Sequence, residues 1–328
     1  MTPTRTQSQI EISVVIPTYQ RSERIAALLR ALADQTLAPN RFEVVVVDNY
    51  STDDTSAVVS ALIPTLPYKV LLARTESNHG PAAARNLGWR TATTPLLAYL
   101  DDDCSPSPEW LEAGLAALAG QPEAGVIQGQ VGIPAGISRD DVAYGPPNWE
   151  ILHIIEGPTP YFEACNIFFR RRAFEVTGGF DESIGWWGED TAAGWSVLEA
   201  GWERGFAPDA LVTHPVERRG YGYFVRNGLK ERNLVRLAVE HPRYRAQAFW
   251  RPWAYRREDA AFVAAVLGLA IGWRFRPALL AALPYLWWRH PSVRRLSFLR
   301  LCVQVPLVDA ARVAGHLQGS VTHRTLVV

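Results

Sequence analysis

Three cysteines in 328 residues, Cys104, Cys165 and Cys302, form an odd set with no C-x-x-C pair. Neither a structural zinc knot nor a redox dithiol is therefore encoded, and a reducing compartment is expected. The polar opening MTPTRTQSQIEI lacks the apolar core of a secretory signal, so we expect the N-terminus to stay in the cytoplasm. Internal repeats and low-complexity tracts are absent too. Long hydrophobic runs are scarce. Ala260 to Trp273 and Pro277 to Trp288 carry no charge, but as helices they reach only about 21 and 18 Å, short of a roughly 30 Å hydrocarbon core. One helix through both would place Arg274 and Arg276 near its middle, at a cost of about 2.5 to 3.5 kcal/mol each. The expectation is a monotopic hairpin lying in a membrane interface with Trp273, Trp287 and Trp288 as anchors. The alternative is an ordinary helical cap.

Hydrophobic residues make up 48% of the chain, enough to bury one large core or two modest ones. The net charge of zero conceals a division. Residues 1–215 hold 14 Lys and Arg against 27 Asp and Glu, a net of −13, whereas residues 216–328 hold 19 against 6, a net of +13. An acidic part suits a metal site and a basic part faces something anionic. The apolar runs of the basic part favour a membrane surface over nucleic acid. The boundary expected from this change of sign follows His214-Pro215, leaving a polar tail (1–11), an α/β domain (12–215) and a basic, apolar helical region (216–328).

Ile12 to Ile16 (ISVVI) and Phe42 to Val47 (FEVVVV) are β-branched runs between turn residues, which predicts strands buried on both faces of a parallel sheet. Between them Ser22, Ile25, Leu28, Leu29 and Leu32 recur at helical spacing until Thr36 to Asn40, with Pro39, ends the pattern. The alternation continues with a helix near Asp54 to Leu62, a strand Tyr68 to Ala73, a helix Pro81 to Thr91 and a strand Leu96 to Leu100. This is a doubly wound α/β arrangement, and ligands of such sheets bind beyond the carboxyl ends of the strands. The loops there carry Pro17-Thr18-Tyr19-Gln20-Arg21, Asp48-Asn49-Tyr50-Ser51 and Asp101-Asp102-Asp103.

Three adjacent carboxylates after a buried strand repel one another unless a cation joins them. A divalent ion, Mg²⁺ or Mn²⁺, would satisfy Asp101-Asp102-Asp103 and dock a diphosphate; a solvated acidic loop ahead of Pro108-Glu109-Trp110 is the other reading. Glu189-Asp190 sits in Gly185-Trp186-Trp187-Gly188-Glu189-Asp190-Thr191. Indole walls raise a carboxylate's proton affinity, as a general base working near neutral pH requires, and Trp186 and Trp187 offer faces for a sugar ring. Simple helix capping is the competing role. His214 is a candidate further metal ligand or a structural histidine. Arg85, in Gly80-Pro81-Ala82-Ala83-Ala84-Arg85-Asn86 at a helix start, can meet phosphate or buttress the aspartate loop.

Taken together these blocks resemble family 2 of the glycosyltransferases, on the GT-A fold. The likeness runs from about Ile12 to about Val216 through VVIPTYQR (14–21), VVVDNYSTDDT (45–55), GPAAARNLG (80–88), LLAYLDDDC (96–104), FEACNIFFRR (162–171), GGFDE (178–182) and WWGEDTAAGW (186–195). The resemblance implies a nucleotide-sugar fold with a mixed sheet flanked by helices. It implies that Asp48 recognises the donor base, with Pro17, Thr18, Tyr19, Arg21 and Asn49 around it. Asp101 and Asp102 then lie near the nucleotide and Asp103 on the metal, with Arg85 close by; Asp190 is the catalytic base, Glu189 stands beside it toward the acceptor, and Asn166 lies near the donor sugar. Two departures stand out. Asp48-Asn49 replaces the D-D of many members, which admits a thymidine nucleotide beside uridine, and Cys165 replaces a small residue before Asn166. The ending Gly315-His316-Leu317-Gln318-Gly319-Ser320 resembles that of membrane-associated bacterial members.

The resemblance thus implies an inverting, metal-dependent transfer of a sugar from a UDP- or dTDP-sugar to a hydroxyl acceptor. From the polar N-terminus and the basic, apolar C-terminal region we expect a saccharide or lipid-linked acceptor and a place at the cytoplasmic face of the cell membrane. A nucleotidyltransferase would need a glycine and lysine rich phosphate loop, and PTYQRSER has no glycine. A non-catalytic nucleotide-sugar or glycan-binding protein on the same fold would be expected to lose Glu189-Asp190. A processive synthase would carry a Q-x-x-R-W block, which Trp195 to Arg245 lacks.

Overall fold

A computed structural model describes residues 10–138, 150–293 and 303–328. Cys302 and most of the polar N-terminal tail lie outside the described residues. The chain divides into two compact units, residues 1–135 with 153–215, and residues 136–152 with 216–328.

The first unit is built on an eight-stranded mixed sheet. Its strands are β1 (Ile12–Thr18), β2 (Phe42–Asp48), β3 (Lys69–Arg74), β4 (Leu96–Leu100), β5 (Ser105–Pro106), β6 (Ala124–Gly132), β8 (Asn166–Arg170) and β9 (Glu203–Thr213), in the order β3-β2-β1-β4-β8-β6-β9-β5; β7 belongs to the second unit. β3, β2, β1 and β4 run parallel. β2 is buried at every position, as a strand covered by helices on both faces must be. The helices are α1 (Ser22–Ala31), α2 (Thr55–Leu62), α3 (Pro81–Thr91), α4 (Trp110–Gly120), α5 (Arg171–Thr177) and α6 (Glu189–Glu199).

Three features of the pairing assemble the site. β1 continues past its apolar run to Thr18, which pairs with Asp48; Pro17 and Thr18 extend the strand because β2 offers a partner that far. β8 runs antiparallel to β4 and sets Asn166 opposite Leu100, so its start shares an edge with the aspartate loop. β5 pairs with the end of β9 through Ser105 and Thr213, which carries His214 back to that loop. α3 can close on β1 and β2 because residue 88 is glycine: a Cβ there would lie 2.2 Å from a Val15 methyl.

The second unit pairs β7 (Glu150–Ile151) with β10 (Glu217–Arg218). Its helices are α7 (Tyr221–Lys230), α8 (Arg232–Glu240), α9 (Pro242–Ala248), α10 (Arg257–Gly272), α11 (Leu283–Val293) and α12 (Val305–His323). α12 approaches α7 and α8 backbone to backbone through glycines; a Cβ on Gly315 would stand 2.5 Å from the Gly228 carbonyl oxygen. Buried ion pairs hold the helices. Glu231 joins Arg256 (3.2 Å) and His316 (2.9 Å), Arg312 joins Asp259 and Asp309 (both 2.9 Å), and the Tyr285 hydroxyl donates to Asp309 at 2.6 Å. The two apolar segments form a hairpin: after α10 the chain makes a 3-10 turn, Arg276–Ala282, that packs against Gly268 and Gly272 before α11. Trp273 is 83% exposed, Trp287 76% and Leu280 64%. Among the described residues no helix is long and apolar enough to cross a membrane.

Candidate active site

A cleft of about 340 Å³ opens at the carboxyl edge of the sheet, lined by Pro17, Thr18, Tyr19, Arg21, Asn49, Pro81, Arg85, Asp101, Asp102 and Trp186. Nine of these ten residues are the ones singled out in the sequence. Asn49 is fixed by its own hydrogen bonds, its amide donating to Asn78 (3.1 Å) and the Gly80 carbonyl (3.2 Å) while its oxygen accepts from Thr75 (3.1 Å). A larger open depression of about 610 Å³ lies at the opposite strand ends; its charged groups are taken up locally, Glu11 with Arg41, Glu112 with Thr36 and Arg170 with main-chain carbonyls.

The three aspartates do not share one environment. Asp101 reaches Arg85 at 3.1 Å. Asp102 is buried, accepts from the Thr18 hydroxyl at 2.7 Å and meets Arg21 at 2.5 Å. Burial pushes its carboxyl up to about 6, against the opposing pull of Arg21 and Thr18. Asp103 turns Oδ2 to Arg21 (2.9 Å) and Arg24 (2.8 Å) and Oδ1 to His214 Nε2 (3.5 Å).

That last pair is where a metal fits. His214 Nδ1 lies 2.9 Å from the Pro215 carbonyl oxygen. A carbonyl only accepts, so Nδ1 carries a proton, and Nε2 is the ring nitrogen left facing the carboxylate oxygen. An imidazole nitrogen beside a carboxylate oxygen is a pair of ligand atoms, and a backbone carbonyl orienting the far ring nitrogen is the usual support of a metal-bound histidine. Asp103, Cys104 and His214 place one ligand atom each within 4.8 Å of one another. Contact with Cys165 lowers the Cys104 pKa, but burial and the charges of Asp101 and Asp103 outweigh it and leave the thiol's pKa raised. Carboxylate and imidazole are thus the better ligands. The His214 ring also packs, tilted by 55°, against His153 at 4.7 Å, whose Nδ1 lies 2.7 Å from Glu163. Sequence reasoning missed this second histidine because nothing in its spacing links it to His214.

The Glu189-Asp190 pair opens α6 behind a turn of left-handed residues: Gly185 (φ 72°), Trp187 (φ 87°) and Gly188 (φ 99°). A tryptophan there is strained, and the strain is held by its N–H donating to Glu189 Oε2 at 3.0 Å. Gly80 permits α3 to approach this turn, since a Cβ on it would stand 3.3 Å from the Gly185 oxygen. Trp186 stands out 53% exposed over the cleft. Glu189 Oε1 accepts from buried Arg85 at 2.8 Å. Burial would lower the Arg85 pKa, but Asp101, Glu189 and Asp190 hold it above the ordinary arginine value. Its buried Nε has no hydrogen-bond partner among the described residues. Asp190 instead accepts from main-chain N–H groups, those of Ala164 (3.2 Å) and Thr191 (2.8 Å). Loss of water raises its pKa to about 7, the Glu189 charge adds to the rise, and Arg85 opposes both.

Two residues expected at the ligand do not line this cleft. Asn166 is fully buried, accepting from the Trp110 indole and donating to the Gln130 and Ala210 carbonyls, each at 2.8 Å. Its side chain ties β8 to β6, β9 and α4 and is a scaffold for the loop edge, not a wall of the cleft. Asp48 is likewise buried; it accepts from the Ser51 N–H at 2.8 Å and from the Ser56 hydroxyl, with Arg74 at 3.6 Å. It braces the β2 loop from beneath. Both are polar residues at a strand terminus, where the neighbouring turns and strands already take up their hydrogen-bonding groups. Arg24 was overlooked, although a position three residues after Arg21 on the first turn of α1 lies on the same face.

The mixed sheet and the loops gathered at its carboxyl edge define a GT-A glycosyltransferase. A mannosyltransferase from Pyrobaculum calidifontis, solved in complex with GDP-Man and Mn²⁺, shares the fold with a TM-score of 0.63 at 22% identity, over 95% of this chain and 87% of that one. The sequence profile of glycosyl transferase family 2 matches residues 13–178, and the chain belongs to that family of transferases. It is similar to glycosyltransferase AglE of Haloferax volcanii, 30% identical over 217 residues, 64% of this chain and 68% of AglE. It is also similar to validoxylamine A glucosyltransferase of Streptomyces hygroscopicus subsp. limoneus, 30% identical over 268 residues. That match covers 73% of this chain and 58% of the relative, so the chain spans little more than half of that protein's length.

Proposed function

We propose that the protein transfers a sugar, with inversion, from a nucleoside diphosphate donor to a hydroxyl of a saccharide or lipid-linked acceptor, with Asp190 as the general base. The observation that carries this reading is the contrast within one dipeptide. Glu189 is neutralised by Arg85, whereas Asp190 keeps a carboxylate held only by main-chain donors, with a pKa near neutrality. A base so poised takes the acceptor proton as the oxygen attacks the anomeric carbon, a contribution of about 10² to 10⁴-fold to the rate.

The donor's nucleoside occupies the cleft between Pro17, Tyr19 and Asn49, with Trp186 over it, and a uracil or thymine base suits the reading from the sequence. Asp103 and His214 hold Mn²⁺ or Mg²⁺, and an imidazole beside a carboxylate favours Mn²⁺. When bound, the ion supplies positive charge to the departing diphosphate. Arg85 fixes Glu189 and Asp101 together, and its unpaired Nε offers a further donor to a phosphate oxygen. Orientation by these fixed groups supplies most of the rate gain.

The second unit, basic and carrying the exposed apolar hairpin, docks on an anionic membrane at its cytoplasmic face. Trp273, Trp287 and Trp288 enter the interface while Arg274 and Arg276 face lipid headgroups.

A panel of UDP-, dTDP- and GDP-sugars assayed for nucleoside diphosphate release, with Mn²⁺ or Mg²⁺ and then with chelator, tests the reading. Metal-dependent release from one donor is expected. Failure with every donor in the presence of membrane lipid extract would mean a binding protein on a transferase fold.

A further inference from the structure

We infer that Arg24, acting with Arg21, is a donor-loading latch. The two guanidiniums hold the metal-binding carboxylate in the resting site and pass to the donor's diphosphate when a divalent ion takes that carboxylate. The inference rests on the nucleotide-sugar reading above and adds a residue and an order of binding to it.

The observations are local and concordant. Asp103 Oδ2 accepts from Nη1 of both arginines, at 2.9 Å from Arg21 and 2.8 Å from Arg24. Arg21 reaches Asp102 with the same nitrogen at 2.5 Å. Asp103 is only 6% exposed, whereas Arg21 and Arg24 are 36% and 48% exposed along their side chains. Both guanidiniums therefore reach inward from solvent to one sheltered oxygen, on long stems that are not packed away. Arg21 precedes the first turn of α1 and Arg24 lies within it, so a rotamer change moves either head without moving the backbone. The other oxygen of Asp103 already faces His214 Nε2, at 3.5 Å.

Formal charge then sets the order of binding. Two carboxylates, Asp102 and Asp103, face two guanidiniums, and the resting cluster is neutral. A divalent ion arriving alone must compete with Arg21 and Arg24 for Asp103 and leaves two displaced cations beside a third. A nucleoside diphosphate sugar arriving alone brings two negative charges to two carboxylates. Arriving together they add no net charge, and the displaced guanidiniums find phosphate oxygens, which their planar forks suit. Metal and donor should accordingly bind with positive coupling, each weak without the other.

The test is direct Mn²⁺ binding to the full chain, read as loss of the free Mn²⁺ signal in electron paramagnetic resonance, with and without UDP, dTDP or GDP. For the unaltered protein a nucleotide should tighten Mn²⁺ binding by about tenfold or more. Arg24→Gln should bind Mn²⁺ alone several-fold more tightly, bind nucleotide more weakly when Mn²⁺ is present, and show reduced coupling. Arg24→Lys, which keeps the charge, should stay close to the unaltered protein for Mn²⁺ alone. The side chain is half exposed, and unchanged thermal unfolding of both variants would exclude a folding defect. If Arg24→Gln bound Mn²⁺ no more tightly while nucleotide binding persisted, the latch would be wrong and the transferase reading would stand. If the unaltered protein bound none of these nucleotides with Mn²⁺ present, the reading itself would fail and the latch with it.

Discussion

Arg85 and Glu189 meet at 2.8 Å across 104 residues of chain, and both side chains are buried. The pair joins the start of α3 to the start of α6 and sets the electrostatic field at Asp190. Glu189 raises the Asp190 pKa and Arg85 lowers it. Replacing Glu189 by Gln removes the like charge, keeps an acceptor for Arg85, and lowers the Asp190 pKa. Because a base works deprotonated, the acid limb of the kcat/KM profile should move to lower pH, with activity lost at a more acidic point than in the unaltered enzyme. A pH-rate series on both proteins measures this, and a shift to higher pH would contradict it.

Asn166→Ala separates scaffolding from sugar contact. The substitution strands the Trp110 indole N–H and two main-chain carbonyls in a dry interior. A buried group without its partner costs about 1 to 3 kcal/mol. A loss of at least that size should appear in denaturant unfolding, with donor KM little changed in the protein that remains folded. A raised KM at unchanged stability would return Asn166 to the ligand.

These two residues also mark how far the sequence could be read. The strands of the parallel half follow from unbroken β-branched runs, and seven residues of the cleft follow from the rule that loops at strand carboxyl ends form the site, with Arg85 and Trp186 reached from a helix start and a tryptophan-rich turn. The fate of Asp48 and Asn166 did not follow. A carboxylate or amide after a strand looks the same in sequence whether it faces a ligand or satisfies a turn. The His153-His214 ring contact and the Thr18-Asp102 hydrogen bond join residues 61 and 84 apart. Such contacts exist only once β5, β8 and β9 have chosen their partners in the sheet, and no local period encodes that choice.

The ion-pair network of the second unit makes an acid-stability prediction. Burial would raise the Glu231 pKa, but Arg256, His316 and Arg312 outweigh it and bring it from 4.5 to about 2. A depressed carboxylate pKa contributes stability that is present above the unfolded value near 4.5 and is lost as pH falls toward 2. Glu231→Ala should destabilise this unit by roughly 3 to 5 kcal/mol at neutral pH. The deficit should shrink as pH falls through that window, which thermal unfolding at several pH values would reveal.

Docking of the hairpin on lipid is checked by sedimentation with vesicles. Trp273→Ser combined with Trp287→Ser should reduce binding to phosphatidylglycerol vesicles, and raised salt should weaken what remains, since each basic residue near an anionic surface contributes about 1 kcal/mol. Binding that neither change affects would place the contact elsewhere.

The central claim is that Asp190 is the base, and Asp190→Asn tests it most directly. Asparagine keeps the size of the side chain and one of the two acceptor oxygens. The Ala164 and Thr191 N–H groups bond different oxygens of Asp190, so one of them loses its partner, and unchanged thermal unfolding of the variant would show that the site stays assembled. Turnover and donor affinity would be measured on the same preparation, using the donor found in the panel. The account predicts turnover reduced by about 10² to 10⁴-fold or more, with metal-dependent donor affinity essentially unchanged. Turnover near that of the unaltered enzyme would contradict it.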